Sequence, residues 1–126
     1  MLDHYLKLIL KAPVYEVATE TNLEFAEALT KKFSNNIWLK REDTQPSFSY
    51  KIRGAYSLIT SLMAEKKVNG LVAASAGNHA QGVGLAAKKL GLAAIIIMPK
   101  TTPEIKIKAV KAFGAHVQLH GNTYDE

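Results

Sequence analysis

Residues 71–98 read LVAASAGNHAQGVGLAAKKLGLAAIIIM, and this stretch decides the fold. Its two ends, residues 71–74 and 93–98, are short apolar runs that predict buried strands. The second run is continuous, which is typical of a strand that is buried on both faces of a parallel sheet. The residues between them have helical spacing over about residues 79–90, and Gly91 ends that helix. A strand, a helix and a second strand in this order predict a βαβ unit.

The same alternation extends to both sides of this unit. Downstream, Thr102 and Pro103 predict a helix start, with a capping threonine and a proline at the first helical position, and Gly114 ends that helix before a strand over residues 117–119. Upstream, the sequence predicts a helix over 50–66, a strand over 37–40, a helix over 22–33, an extended piece over 14–17 and a helix over 3–12. The chain is therefore predicted to be an α/β protein, with a parallel sheet and right-handed βαβ crossovers.

Composition excludes several classes of function. The 126 residues carry a net charge of +5 and no cysteine, which excludes disulfides, thiolate metal sites and cysteine nucleophiles. The lysines are scattered without interleaved aromatics, so we expect no nucleic-acid partner. No run approaches the roughly 20 apolar residues of a membrane span, so we expect no membrane partner and a cytoplasmic location. His116 and His120 are four apart in a predicted strand, where a zinc pair would need a helix, so we expect no metal.

Lys51 is the first candidate for chemistry. In a helix over residues 50–66 it lies on one side with Ala55 and Leu58. It is therefore predicted to point into the apolar arc of the helix, whereas Arg53 points away. Desolvation in a pocket there would favour the neutral amine that a nucleophilic lysine needs. The alternative is a lysine in the first helical turn whose long stem reaches water.

The second candidate is the turn Ser75-Ala76-Gly77-Asn78-His79. It joins a strand to a helix N-terminus, where backbone N–H groups and the helix dipole favour an anion. The alternative is an ordinary turn in which Ser75 or Asn78 caps the helix. Position along the chain does not separate the two, because a cap and an anion site use the same groups.

Two glycines, Gly82 and Gly84, fall inside the predicted helix that follows this turn. Gly77 and Gly82 are spaced as in a phosphate-binding P-loop. The residues after Gly82, however, are Val83 and Gly84 instead of lysine and serine or threonine. We therefore reject a P-loop and expect the helical glycines to allow close packing on the sheet.

Two segments resemble those of a known enzyme family. Residues 40–56 read KREDTQPSFSYKIRGAY and resemble the cofactor-lysine segment of fold-type II pyridoxal-phosphate (PLP) enzymes. Residues 75–83 read SAGNHAQGV and resemble the substrate-carboxylate loop of these enzymes. Together the two segments resemble the serine/threonine dehydratase branch. A resemblance to the biosynthetic threonine dehydratases extends to residues 14–18, 98–99, 105–106 and 114–115.

The resemblance implies roles for the residues of both segments. Lys51 would bond covalently to PLP and then remove the Cα proton of the substrate. Tyr50, where the family usually has phenylalanine, would lie against the pyridine ring of the cofactor. Asn78 would hydrogen-bond the phenolic oxygen of PLP. The substrate carboxylate would be held by the loop residues Ser75, Ala76, Gly77, Asn78 and His79.

The implied reaction is the deamination of L-threonine to 2-oxobutanoate and ammonia in isoleucine biosynthesis, by an enzyme expected to be a homo-oligomer. Residues 1–45 would belong to the larger catalytic domain, and residues 46–126 would form the PLP-lysine helix and a truncated small α/β domain. The fold would thus be an incomplete part of the fold-type II (tryptophan synthase β-like) fold. The family's glycine-rich phosphate loop has no counterpart in these residues, so we expect an N-terminal piece that is inactive alone and self-associates. A related dehydratase, a serine racemase and a non-catalytic folded fragment remain alternatives.

Overall fold

The computed structural model describes residues 2–123 and 125–126. Its helices and strands follow one another in this order: α1 (Leu2–Lys11), β1 (Leu23–Phe25), α2 (Glu27–Phe33), β2 (Trp38–Lys40), α3 (Lys51–Glu65), β3 (Leu71–Ala74), α4 (Asn78–Leu90), β4 (Ala94–Met98), α5 (Glu104–Ala112) and β5 (His116–Leu119). Short 3₁₀ turns at Val14–Glu16 and Glu42–Thr44 lie between them.

Strands β3, β4 and β5 form a parallel sheet in that order, with β4 in the middle. Helix α4 connects β3 to β4, and α5 connects β4 to β5. Ala73 of β3 and Val117 of β5 are both in register with Ile96 of β4. The prediction of an α/β chain with βαβ units on a parallel sheet is confirmed.

The main apolar core lies between α4 and this sheet. Ala80, Val83 and Ala87 of α4 pack in one cluster with Ile96 and Met98 of β4, and both β4 side chains are fully buried. Burying a side chain of this size contributes about 1.5–3 kcal/mol. The cluster therefore fixes α4 on the sheet.

A second apolar cluster joins α4 to α3. It contains Ala86 of α4 together with Ile52, Tyr56 and Ile59 of α3. Ala18, from the segment that precedes β1, is its remaining buried member. Because α4 packs on the sheet and on α3, it fixes α3 relative to the sheet.

The prediction of one helix over residues 22–33 is wrong for its first part. Leu23–Phe25 form β1, which pairs antiparallel with β2, and α2 begins only at Glu27. The rings of Phe25 and Trp38 meet edge to face across the two strands, with centroids 5.1 Å apart. Cross-strand contacts of this kind override the helical spacing of the sequence.

Two further local predictions are wrong. The piece predicted to be extended over residues 14–17 is a 3₁₀ turn, closed by a hydrogen bond to the carbonyl three residues back. Helix α5 begins at Glu104, because Pro103 is still extended (ψ 138°) and the Thr102 N–H is used in a turn back to the Pro99 carbonyl. Thr102 does not cap the helix, and its hydroxyl is buried with no hydrogen-bond partner among the described residues.

The predicted helix ends after α4 and α5 are confirmed. Gly91 has φ 67° and Gly114 has φ 85°, the left-handed conformation in which glycine ends a helix without strain. Within residues 2–123 and 125–126, no helix combines the length and the apolarity that crossing a membrane would need.

Helix α1 packs little against the rest of the molecule. None of its residues is buried, and its apolar side chains, such as Leu6, Ile9 and Leu10, are exposed. The division of the chain into residues 1–45 and 46–126 stays a prediction.

Candidate active site

A turn of buried polar residues leads into α3. Gln45, Ser47 and Ser49 are buried, and the Ser47 hydroxyl donates to the Ser49 carbonyl at 3.2 Å. Phe48 has φ 56°, a left-handed conformation that costs a residue with a side chain about 1–2 kcal/mol. Lys51 is the first residue of α3, and its N–H donates to the Ser49 hydroxyl at 3.4 Å. These hydrogen bonds fix where the helix begins.

Lys51 lies on one side of α3 with Ala55 and Leu58, as predicted, but it does not point into the buried arc of the helix. Lys51 is exposed, whereas Arg53, which was predicted to point away from the core, is half-buried. The buried arc of α3 is rotated by about one residue, or roughly 100°, from the predicted arc. The reason is that α4 contacts the side of α3 that carries Ile52 and Tyr56. The amine of Lys51 is therefore not desolvated by this chain alone.

Lys51 opens onto a surface pocket of about 290 Å³. Its Nζ lies 5.0 Å from the centroid of the Tyr50 ring, within the range of a cation–π interaction. The pocket thus combines an amine with an aromatic ring and apolar walls. The residues that line it are Tyr50, Lys51, Gly54, Ala55, Leu58 and His79.

The second candidate segment leads from the end of β3 into α4. Ser75 N donates to the carbonyl of Ile97 on the neighbouring strand at 3.0 Å, which extends the strand pairing by one residue. The Ser75 hydroxyl accepts a hydrogen bond from Gly77 N at 3.3 Å. Ser75, the first residue of the turn, therefore fixes the conformation of the turn through these two hydrogen bonds.

The N-terminus of α4 has no side-chain cap among the described residues. Gly77 is the cap residue, so the alternative in which Ser75 or Asn78 caps the helix is wrong. Asn78 and His79 form the start of the helix and are exposed. Backbone N–H groups and the positive end of the helix dipole favour an anion at such an end.

The structure brings part of the predicted site together. Tyr50 and Lys51 at the start of α3 share one pocket with His79 in the first turn of α4. The remaining predicted residues lead up to His79 but do not line this pocket: Ser75, Ala76, Gly77 and Asn78.

An ion pair that the sequence analysis did not identify anchors the first turn of α3. Arg53 Nε donates to Glu42 Oε2 at 2.8 Å, and Arg53 Nη2 donates to Glu42 Oε1 at 2.9 Å. The Thr21 hydroxyl adds a hydrogen bond to the same carboxylate at 2.6 Å. The bonds from Arg53 above all, and those from Thr21 and Gln45, lower the pKa of Glu42 to about 2. Segments distant in sequence are thus tied to the helix that carries Lys51.

A second polar contact links α3 to the segment after α1. The Tyr56 hydroxyl donates to the Glu16 carboxylate at 2.5 Å, and the tyrosine ring is buried in the apolar cluster of α3 and α4. Burial, followed by the hydrogen bond to Glu16, raises the pKa of Tyr56 to about 12. The phenol therefore stays protonated and keeps donating up to strongly alkaline pH.

The helical glycines allow close packing, as predicted, but Gly82 packs on α3 and not on the sheet. A side-chain carbon at Gly82 would meet backbone atoms of Lys51 and Ile52, in the first turn of α3. A side-chain carbon at Gly84 would meet Phe113, just after α5. Helical spacing shows that both glycines lie in α4, but it does not show which neighbour each one faces.

The residues around the pocket fit two parts of PLP, its aldehyde and its planar ring. A primary amine such as that of Lys51 bonds to aldehydes, and Tyr50 with Leu58 offers apolar surface to a ring. The uncapped start of α4 suits an anionic group. Among the described residues, no group of three histidine, aspartate or glutamate side chains is placed to hold a metal ion, and His116 and His120 are exposed.

Comparison with known proteins identifies the family. The family described as pyridoxal-phosphate dependent enzymes matches residues 14–126. The biosynthetic L-threonine dehydratase of Haemophilus influenzae is 55% identical over 124 residues, which cover 97% of this chain and 24% of the relative. That of Pasteurella multocida is 53% identical over 122 residues, with the same coverage of both chains. The chain spans about a quarter of the length of these curated relatives.

Solved structures share the fold of this chain. The processed form of threonine deaminase isoform 2 from Solanum lycopersicum aligns with a TM-score of 0.90 and 52% identity, over 99% of this chain and 34% of that one. Maize serine racemase aligns with a TM-score of 0.86 and 29% identity, over 98% of this chain and 37% of that one. The α/β fold with its three-stranded parallel sheet thus matches part of the fold-type II PLP enzymes. The chain belongs to the pyridoxal-phosphate dependent enzyme family, within which its sequence is similar to the biosynthetic threonine dehydratases.

Proposed function

We propose that this chain provides the cofactor lysine and the substrate-carboxylate loop of an enzyme that deaminates L-threonine to 2-oxobutanoate and ammonia, for isoleucine biosynthesis. The observation that carries the proposal is that Lys51 and His79, from the two family-like segments, line one pocket. The names of the relatives, biosynthetic threonine dehydratases, support the choice of substrate. Because the chain spans about a quarter of their length, the activity proposed is that of the whole protein.

Lys51 has two roles in this proposal. Its Nζ holds the cofactor, and the same atom, once released, accepts the proton from Cα of the substrate. When bound, PLP supplies an electron sink for the charge that develops on Cα. Lys51 is exposed in this chain, so the desolvation that favours a neutral amine comes from the bound cofactor and substrate and from the rest of the whole protein.

The loop orients the substrate for this proton transfer. The N–H groups at the start of α4 and the Ser75 hydroxyl bind the carboxylate, and Asn78 hydrogen-bonds the phenolic oxygen of the cofactor. The ring of Tyr50, which already lies beside the Lys51 amine, packs against the cofactor ring. The residues proposed to surround the carboxylate are Ser75, Ala76, Gly77, Asn78 and His79.

Titration with PLP tests the cofactor part of the proposal. The wild-type chain should gain the visible absorption that PLP acquires on bonding to an amine, at PLP concentrations at which Lys51→Ala gains little. Lys66→Ala removes an exposed lysine just after α3 and is the matched control, so it should behave like the wild type. Equal absorption in Lys51→Ala and the wild type would contradict a specific cofactor site at Lys51 in this chain and favour a non-catalytic folded chain.

Product analysis tests the reaction. We expect the 126-residue chain alone to give little or no 2-oxobutanoate, and a longer protein that contains it to form 2-oxobutanoate from L-threonine. Racemisation of serine is the second candidate, favoured by the alignment with maize serine racemase. Formation of D-serine without 2-oxobutanoate would replace the first candidate by the second.

We also propose that the chain self-associates. Its exposed apolar side chains include the whole apolar face of α1, and contiguous apolar surface of this kind favours association. Sedimentation velocity over a range of protein concentrations should show oligomers, and a single monomeric species at every concentration would contradict this expectation.

A further inference from the structure

Helix α4 approaches the start of α3 most closely at Gly82. A side-chain carbon built on Gly82 would lie 3.1 Å from the carbonyl carbon of Lys51, 3.2 Å from its oxygen and 3.2 Å from the nitrogen of Ile52. These are backbone atoms, which cannot rotate away as the end of a side chain can. Any side chain at Gly82 must therefore push the two helices apart at Lys51.

Gly84 provides an internal comparison in the same helix. A side-chain carbon there would lie 3.3 Å from the β-carbon of Phe113 and 3.7 Å from that of Ala115. Gly82 and Gly84 are both buried and both closely approached. They differ in what they face, since Gly82 faces the backbone that carries Lys51 and Gly84 faces side chains around the start of β5.

The position of Gly82 links the two halves of the pocket. It lies one helical turn after Asn78, and α4 is continuous from Asn78 onwards, so a shift at Gly82 moves the loop of residues 75–79 relative to Lys51. We infer that Gly82 is a positioning residue, whose missing side chain sets the separation between the Lys51 amine and this loop. The inference rests on the proposed function, in which these two groups act on one substrate.

A methyl group at Gly82 should disturb the site more than it disturbs the fold. Alanine favours a helix over glycine, which offsets part of the strain from the close contact. The helices would separate by a few tenths of an ångström, while the sheet face of α4 stays packed. Misplacement of reacting groups on this scale is expected to slow a reaction by about tenfold, because a displacement of about 1 Å can cost about a hundredfold.

The experiment compares the wild type with Gly82→Ala and Gly84→Ala. Samples are mixed with PLP, reduced with borohydride at successive times, and digested, and the labelling rate of each lysine is measured by mass spectrometry. Lys51 should react about tenfold more slowly in Gly82→Ala and at the wild-type rate in Gly84→Ala. Lys66, exposed just after α3, reports any general change in lysine reactivity.

A second readout does not involve PLP. The rate of competitive acetylation of Lys51 is measured at one pH relative to that of Lys66, because a shift of α4 at Gly82 changes the surroundings of the Lys51 amine. The ratio of the two rates should change in Gly82→Ala and keep the wild-type value in Gly84→Ala. If Gly82→Ala fails to fold by circular dichroism, Ala86→Ser widens the same interface one turn further on and should give a smaller change in the same direction.

The outcomes separate this inference from the proposed function. Selective labelling of Lys51 in the wild type, with equal rates in both glycine variants, overturns the inference and leaves the function standing. Absence of selective labelling in the wild type counts against the function. In that case the acetylation rates decide the inference, which fails if Gly82→Ala and Gly84→Ala give the same ratio of Lys51 to Lys66 acetylation.

Discussion

Residues 2–50 and residues 51–119 are held together by different forces. Among the described residues before α3, Ala18 is the single buried apolar residue, whereas thirteen lie from α3 onwards. Buried polar residues show the reverse distribution, because Thr21, Gln45, Ser47 and Ser49 precede α3 and Gln81 alone follows. The α/β unit is thus fixed by apolar packing, and the segment before it is fixed to α3 by hydrogen bonds and one ion pair.

Lys51 lies at the border between these two regions. The polar turn before it determines where α3 begins, and the packing of α3 on α4 determines how the helix is placed against the loop of residues 75–79. A change in the polar turn or a change in the packing of α3 on α4 can therefore move Lys51. Variants in the two regions probe the two sides of Lys51 separately.

The largest loss of stability is expected from the core of the parallel sheet. Ile96 of β4 is fully buried, so Ile96→Ala should lower the free energy of unfolding by about 3 kcal/mol in urea denaturation. Ile95, the preceding residue, is partly exposed on the other face of the sheet, and Ile95→Ala should cost clearly less. Equal losses in the two variants would show that the core is not between α4 and the sheet.

An intermediate effect is expected at the Glu42–Arg53 pair. Glu42→Gln should weaken the attachment of residues 19–45 by about 2 kcal/mol, the usual scale for hydrogen bonds to a charged group. The measurement is native-state hydrogen exchange, in which these residues should lose protection while α4 and β4 keep theirs. A uniform loss of protection over the whole chain would mean that the two regions unfold as one.

The same carboxylate predicts the acid sensitivity of this attachment. Its pKa is about 2 in the folded chain and near 4.5 ordinarily, so the folded state gains stability above pH 4.5 and loses it progressively as the pH falls towards 2. Glu42→Gln should remove most of this pH dependence. Asp43→Asn is the control, since Asp43 is mostly exposed and should matter less. An unchanged acid response in Glu42→Gln would assign the sensitivity to other groups.

A smaller effect is expected at the contact between Tyr56 and Glu16. Tyr56→Phe keeps the buried ring and removes the hydroxyl, so it should cost about 1 kcal/mol in thermal or urea unfolding. Because the pKa of Tyr56 is raised to about 12, the wild type should also lose stability as the pH rises from 10 through 12, and the variant should lose less. If the stability of the wild type and of the variant fell equally between pH 10 and 12, the Tyr56 phenol would not be the protonated donor described above.

The smallest effect is expected on the surface of α2. Lys31 donates to Glu27 at 2.7 Å, but both side chains are largely exposed. Lys31→Ala should change the free energy of unfolding by only about 0.3 kcal/mol, and 1 M salt should remove the difference. A loss as large as that of Glu42→Gln would erase the distinction between exposed and half-buried ion pairs in this region.

The region held by apolar packing was also the one that could be predicted from sequence. Strands β3 and β4 and helix α4 follow the predicted order and nearly the predicted bounds, because an apolar run and a glycine end are local signals. Strand β1 could not be predicted, since its three residues are stabilised by pairing with β2 and by the contact between Phe25 and Trp38. The apolar residues there have helical spacing, and a single sequence does not show that residues 23–25 pair with another strand.

The candidate site, too, could be predicted where its signals are local and not where they depend on contacts between distant segments. Local residue patterns and the resemblance to a family predict Lys51 and the loop of residues 75–79 as candidates. Which side of α3 is buried depends on the helix that packs against it, and periodicity alone wrongly placed Lys51 in the buried arc. The neighbour of Gly82 and the partner of Glu42 are likewise contacts between distant segments, which a single sequence does not specify.

Hydrogen exchange of the wild-type chain, with and without PLP, tests most directly whether these residues form one site. At pH 7, PLP should slow exchange at residues 49–56 and 75–82 together, and should leave β1 and β2 unchanged. Protection in one of these two segments without the other, or protection spread along the chain, would contradict the claim that the starts of α3 and α4 form a single cofactor site.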